Sequence, residues 1–176
     1  GVRSAGAGLC GAAREQLCVV VGAADQRVVL GQRELALHRL GVATQLMGKV
    51  GYDLIGRAIL DFIGPELAAG MIIAPGETSS YTVVINPPGI DRTFLHCTGA
   101  NDTFTAADID YGKLAGAKLF HFGYPTLMQR IYEDGGGAME EIFRRVKAAG
   151  FTTSLDMSYP DPQSPAGQVD WPAWLE

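Results

Sequence analysis

Basic residues are too few in this sequence for it to grip nucleic acid. Lys and Arg number 14 against 19 Asp and Glu, a formal net charge of −5, whereas phosphate neutralisation needs a basic face. Cysteine is scarce. Cys10, Cys18 and Cys97 are odd in number, widely spaced and without a Cys-x-x-Cys pair. That argues against a disulfide framework or a zinc site and for reduced thiols in a cytoplasmic protein. His38, His96 and His121 fall on a helix, at a strand end and within a strand. No two share metal-ligand spacing, so they read as ordinary residues. No apolar run approaches the roughly 18 residues that a membrane helix requires. The opening "GVRSAGAGLCGAAREQ" contains an Arg but not the continuous apolar core of a signal peptide.

What is present is the composition of a globular protein. Apolar residues make up 47% and charged residues 19% of the 176 positions, enough for one domain with a real core or for part of a larger one. Residues 1–16, rich in Ala and Gly, read as a flexible leader. They contain Gly6, Gly8 and Gly11 in "GAGLCG", which spells G-x-G-x-x-G. A dinucleotide loop of that kind needs a strand before it and a helix after it, and the few residues before Gly6 cannot form that strand.

From residue 17 onward strands and helices alternate. "LCVVVG" is a short β-branched run ended by Gly22, as in a strand buried on both faces. "LGQRELALHRLG" predicts a helix with Leu35, Leu37 and Leu40 inward and Gly41 as its stop. "VATQLMGKVG" predicts a second strand. "DLIGRAILDFI" predicts a helix capped by Asp53, with Leu54, Ile55, Ala58, Ile59 and Phe62 on its apolar face. "AKLFHFG", "AMEEIFRRVKAAG" and "FTTSLDM" add a strand, an amphipathic helix and a strand ending at Asp156. In the helix, Glu140 and Glu141 lie early and Arg144, Arg145 and Lys147 late, as the helix dipole prefers. Thr105 with Asp108 predicts a capping box. The tail from Tyr159, with four prolines, reads as loop. This alternation indicates an α/β fold with a mainly parallel sheet.

One segment breaks the pattern. Tyr81–Asn86 and Thr93–Cys97 are β-rich runs joined by "PPGID", which predicts an antiparallel hairpin over about 79–97. The stretch "TQLMGKVGYDLIG", with Gly48, Gly51 and Gly56 around Asp53, reads as a tight turn between a strand and a capped helix, not as a phosphate cradle.

The phrases "HRLGVATQLMGKVGYDLIGRAIL", "GETSSYTVVINPPGIDRTFLHCTGANDTFTAADI", "AKLFHFGYP" and "VKAAGFTTSLDMSYPDP" together resemble the N-terminal half of the ribokinase-like (PfkB) carbohydrate kinases. The resemblance covers most of residues 35–162. It implies a doubly wound, mainly parallel α/β sheet with a small antiparallel β lid, present here as a partial domain spanning 17–176. It further implies ATP-dependent phosphorylation of a sugar hydroxyl in the complete protein, with ATP and Mg as cofactors and a sugar as substrate. Two pieces of the family pattern are missing. No Gly-Gly-x-x-Asn precedes the first long helix, and no Gly-x-Gly-Asp, which carries the family's catalytic Asp, occurs anywhere in the chain. Phosphoryl transfer needs a base and donors for the phosphate oxygens, so the chain by itself is expected to be inactive. The alternative is a truncated, non-catalytic domain that binds sugar or assembles through its lid strands.

Candidate substrate-binding residues follow from the resemblance and from position. Asp25 lies soon after the first strand, where the family has a sugar-binding Asp. Ser80, Tyr81 and Arg92 lie on the expected lid, where a half-buried hairpin also accounts for them. Asn101 in "GAND" shapes a turn or reaches the site. Asp156 sits at a strand's carboxyl end, the side that faces ligands in open α/β sheets. Asp134-Gly135-Gly136-Gly137, ahead of a helix, could hold an anion but reads more simply as a flexible connector. A homodimer through the lid strands is the expected assembly.

Overall fold

A computed structural model of the chain describes residues 16–21 and 35–175. The leader up to residue 15, the Gly6-Gly8-Gly11 match and Asp25 lie outside the described residues. Five parallel strands make the central sheet: β1 (Gln16–Val21), β2 (Ala43–Gly51), β3 (Met71–Ala74), β6 (Ala117–Gly123) and β7 (Thr152–Asp156), in the order β3-β2-β1-β6-β7. Between β3 and β6 in the chain comes a separate antiparallel pair, β4 (Tyr81–Ile85) and β5 (Thr93–Cys97), with Tyr81 opposite Cys97 and Ile85 opposite Thr93. The helices are α1 (described over 35–39), α2 (Leu54–Ala68), α3 (Gln129–Tyr132), α4 (Gly137–Ala148) and α5 (Trp171–Leu175).

The core divides between the two faces of the sheet, as parallel sheets require. On one face Phe120 and Phe122 of β6 pack against Met139, Ile142 and Val146 of α4, with Phe104, Ile109, Leu114 and Ile131 filling in from the loops. Phe143 meets both β6 phenylalanines edge to face, at 6.1 and 6.2 Å between ring centroids, the geometry that aromatic quadrupoles favour. On the other face Leu35, Leu46, Ile63 and Leu67 form a smaller cluster with Leu60, Tyr124 and Leu127 against it.

Several expectations need correction. Leu40 is 80% exposed, because α1 is already ending there and Gly41 turns the chain at φ +84°. In α2 the inward line is Gly56, Ile63 and Leu67; Leu54 and Phe62 are exposed, and so is Ala58. Gly56 sets that line, since it presses against the Gly51 carbonyl and fixes the rotation of the helix about its axis. The helix also kinks at Gly64, which has φ 80° ahead of Pro65. The Thr105–Asp108 capping box forms, but it caps only the 3-10 turn Ala106–Asp108. The tail is not all loop: Ser164 caps the turn Pro165–Gln168, and Trp171 of α5 donates its indole N–H to the Ala166 carbonyl at 2.8 Å. Gly135–Gly137 is no loose spacer. Gly135 and Gly136 hold φ of 71° and 94°, the Trp174 ring fills the space where a Gly136 side chain would lie, and Asp134 accepts from the Ala138 amide at 3.0 Å.

Candidate functional site

In a doubly wound sheet, ligands bind beyond the carboxyl ends of the strands where strand order reverses. Here the chain moves outward from β1 to β2 and β3 on one side and to β6 and β7 on the other, so the switch lies between β1 and β6. Val21 and Gly123, paired in register, mark it. The next residue, Tyr124, is the single described non-glycine residue with positive φ, at φ 56° and ψ 55°. A residue before proline is normally pushed to extended backbone, so this left-handed Tyr124 is held against its preference. Its amide donates to the Asp156 carbonyl at 2.9 Å, and neighbouring Thr126, buried, donates its hydroxyl to the Ser158 carbonyl. The ends of β6 and β7 are thereby locked together around the switch.

The lid hairpin is rooted at the end of β2. Asp53 accepts from the Gly56 amide at 2.7 Å, as the N-cap of α2, and from both the amide and the hydroxyl of Ser79 at 2.6 and 2.7 Å. Ser79, fully buried, accepts in turn from the Gly51 amide at 2.9 Å. A side chain on Gly51 would collide with the Glu77 carbonyl and the Ser79 amide; one on Gly99 would lie 2.5 Å from the Thr78 oxygen. Hydrogen bonds from the Gly56 and Ser79 amides, then from the Ser79 hydroxyl, hold the Asp53 carboxyl below the usual carboxylate range despite some desolvation. The stretch "GKVGYDLIG" is thus a turn and a cap, and it is also the anchor for the lid.

Beside this anchor lies a cluster that the sequence pattern did not reveal. Lys49 of β2, with only 12% of its side chain exposed, meets the Glu77 carboxylate at 3.2 Å and the Thr103 hydroxyl at 2.7 Å. Thr103 donates to Glu77 at 2.5 Å. The available signal was a lone lysine inside the apolar strand "QLMGKVG". Tyr124 had a signal too, a tyrosine wedged between a strand-ending glycine and a proline.

The sequence-based candidates separate into two groups. Ser80 is buried and donates to the Cys97 carbonyl at 3.0 Å, tying the two ends of the hairpin. Asn101, in the 3-10 turn Gly99–Asn101 that follows the hairpin, is fully buried, with neither amide atom hydrogen-bonded. These two adjoin the Asp53–Ser79 anchor. Asp156 lies on the far side of the switch, at the end of β7 opposite Gly123. Tyr81 and Arg92 lie out on the hairpin, with the Arg92 guanidinium 5.5 Å above the Phe94 ring. The hairpin is more open than the half-buried sheet expected: Tyr81, Val83, Val84, Ile85, Phe94 and Leu95 are all exposed, because no other described strand pairs with it. Among the described residues no three His, Cys, Asp or Glu side chains converge to hold a metal. No described helix is long and apolar enough to cross a membrane.

This arrangement matches known structures. Fructokinase from Xylella fastidiosa with bound ATP superposes with a TM-score of 0.69 over 89% of this chain and 52% of its own, at 19% identity. Arabidopsis thaliana ribokinase complexed with ribose and ATP superposes with a TM-score of 0.60 over 83% of this chain and 54% of its own, at 15% identity. The fold is ribokinase-like. In sequence, an uncharacterized sugar kinase of Archaeoglobus fulgidus is 33% identical over 89 residues, which cover 49% of this chain and 35% of that protein. No family model matches. The chain therefore spans about a third of that relative and about half of the ribokinase-like structures. The antiparallel pair β4–β5 takes its place as the small β element of the ribokinase-like fold.

Proposed function

We propose that residues 17–176 are the N-terminal, acceptor-holding part of a ribokinase-like sugar kinase that transfers a phosphoryl group from ATP to a sugar hydroxyl in the complete protein. The observation that carries this reading is Asn101. Its amide is fully buried with all its hydrogen-bonding capacity unused, at the root of the lid and beside the carboxyl end of β2. Leaving such a group unmatched costs about 1–3 kcal/mol. Since no solvent touches it, a sugar hydroxyl would meet the amide only through a shift of the Gly99–Asn101 turn on binding, and that shift is part of the proposal. Asp156, across the switch point, supplies a carboxylate acceptor on the other flank. Ser80 positions the hairpin through its bond to the Cys97 carbonyl, and Tyr81 and Arg92 are proposed as the hairpin's contacts with the sugar. Asp25 belongs to the same proposal by its place in the sequence.

ATP and Mg are assigned to the complementing half. The described residues offer no metal cluster and the sequence no Gly-x-Gly-Asp, so no step through ATP is assigned to them. The chain's own work is to bind and orient the acceptor and to exclude water beneath the lid. A second reading, a non-catalytic sugar-binding or assembly domain, draws on the exposed apolar residues of the hairpin, which could serve assembly without any transfer. Transfer of labelled phosphate from ATP to a panel of pentoses and hexoses decides between them. The complete gene product phosphorylates at least one sugar and this chain alone none; a complete product without activity on any sugar would favour the second reading.

The exposed apolar residues on the hairpin lead us to propose also that two copies pair through their lids. Val83, Val84, Phe94 and Leu95 would be covered, and sedimentation would give a dimer that Val83→Lys with Leu95→Lys converts to monomer. A cytoplasmic site of action fits the three unpaired-by-pattern cysteines and completes the reading.

A further inference from the structure

The turn Gly99–Asn101, under which the Asn101 amide is sealed, has one fixed end and one movable end. The fixed end follows Asn101. Phe104 is fully buried in the core, and the Thr103 hydroxyl and carbonyl both accept from the Lys49 ammonium, at 2.7 and 3.4 Å. Asp102 belongs to the same end. Its carbonyl accepts from the Arg130 amide at 3.2 Å and its carboxylate from the Gln129 amide at 3.3 Å, which seats it on α3, whose Ile131 is fully buried. The movable end is Thr98, directly after β5. Among the described strands β5 pairs with β4 alone, and a two-stranded hairpin is only marginally stable by itself. A charged acceptor joins the two ends: the Thr98 hydroxyl donates to the second oxygen of the Asp102 carboxylate.

We propose that Asp102 is a positioning residue that holds this turn shut over Asn101, and that release of its bond to Thr98 is the step that lets the Asn101 amide meet a sugar. The shut turn keeps a hydrogen bond to a carboxylate, the stronger kind, but leaves a buried amide unmatched. The open turn gives up that bond and frees the amide. The two costs oppose each other and are of similar size, which makes a two-state element that a ligand can bias. Movement of the hairpin reaches Asn101 through Thr98, so the carboxylate of Asp102 sets how readily the hairpin and the amide move together. The proposal rests on the sugar-binding reading of Asn101 given above, but the opening of the turn is measurable without any sugar.

The test is amide hydrogen exchange on the complete protein. The Ala100, Asn101 and Asp102 amides, which donate to the Thr78, Thr98 and Gly99 carbonyls, report opening of the turn, and those of Phe120 and Phe122 in β6 report the core. Thr98→Val, which keeps the shape of the side chain, and Asp102→Ala are each expected to speed exchange at the turn about tenfold and to leave β6 unchanged. Thr98→Ser, which keeps the hydroxyl, should exchange like the wild type. Calorimetry with D-ribose and with D-fructose then separates a latch from a mere support. A latch restrains the binding-competent state, so Thr98→Val should tighten binding of the sugar that the wild type takes up, by up to about tenfold. Unchanged exchange at the turn, equal acceleration in β6, or weaker sugar binding by Thr98→Val would each overturn the proposal. Binding of neither sugar by the wild type would count against the function proposed above, and the exchange result would still decide whether Asp102 holds the turn.

Discussion

The Asp53 carboxylate accepts the Ser79 amide at 2.6 Å across 26 residues of sequence, so one side chain caps α2 and pins the root of the lid. Removing the carboxylate should therefore cost more than a lost cap. Asp53→Ala is expected to destabilise by about 2–4 kcal/mol, against about 1 for an ordinary cap. Ser79→Ala, which strands the buried Gly51 amide, should cost about 1–3 kcal/mol. Urea denaturation of both single variants and the double variant checks this. Strong coupling between the two is expected, and additive effects would show that the bonds act separately.

The same network sets a pH dependence. The Asp53 carboxyl is held below its ordinary value by the hydrogen bonds it accepts, so the folded state binds a proton less readily than the unfolded one. This contribution is fully present above the unfolded carboxylate value of about 3.9. It is lost as pH falls from there through the lowered folded value. Denaturation at pH 6 and at stepped acid pH should show a stability loss in that window that Asp53→Asn diminishes.

Gly99 tests the packing of the anchor. Its φ is +51°, and a methyl group added there would come within 2.5 Å of the Thr78 oxygen, so a strained backbone and a steric clash coincide. Gly99→Ala should cost about 2–4 kcal/mol. Gly89, at φ +78° in the hairpin turn with open space around it, should lose only about 1 kcal/mol on the same change. Similar losses at the two sites in thermal unfolding would refute the steric account.

Much of this architecture was legible in the sequence because local signals agreed with tertiary demands. β6 spans Ala117–Gly123 and β5 spans Thr93–Cys97, as their apolar alternation and bounding turns indicated. Asp53 caps α2 as its place between two glycines required. β3 (Met71–Ala74) went unread because a short apolar run between glycines carries no period of its own. The inward face of α2 was misread because periodicity fixes a helical stripe only to within about one residue. The contact of Gly56 with Gly51, distant from any hydrophobic pattern, decided the rotation. In the candidate site, Asn101 was visible as a polar residue in a turn, but its burial was not. The Lys49–Glu77–Thr103 cluster joins three separate segments, and no spacing rule links them.

Asn101 gives a prediction in which stability and function move in opposite directions. Replacing an unmatched buried amide by an apolar side chain of similar shape removes a desolvation cost. Asn101→Leu is expected to stabilise the chain by about 1–3 kcal/mol and, on the function proposed above, to abolish sugar binding by the complete protein. Calorimetry of sugar binding alongside thermal unfolding measures both. A destabilised variant would show that the amide is satisfied by internal water and not kept for a ligand.

Lys49 and Glu77 should respond unequally to the loss of each other. Lys49 keeps 12% of its side chain exposed and Glu77 keeps 30%, so the lysine depends more on its partner for compensation of its charge. Glu77→Gln removes the compensating charge and leaves the Lys49 ammonium with neutral acceptors alone, the Thr103 hydroxyl and carbonyl and the introduced amide oxygen. Lys49→Met leaves a carboxylate that water reaches and that still accepts from Thr103. The loss should therefore be larger for Glu77→Gln, about 2–3 kcal/mol, than for Lys49→Met, about 1. Because an uncompensated charge is the main cost, Lys49→Met combined with Glu77→Gln should recover most of what Glu77→Gln alone loses. Urea midpoints for the wild type and the three variants complete the cycle. If the double variant were less stable than Glu77→Gln, burial of the lysine charge would not govern the loss, and the cluster would owe its stability to its hydrogen bonds.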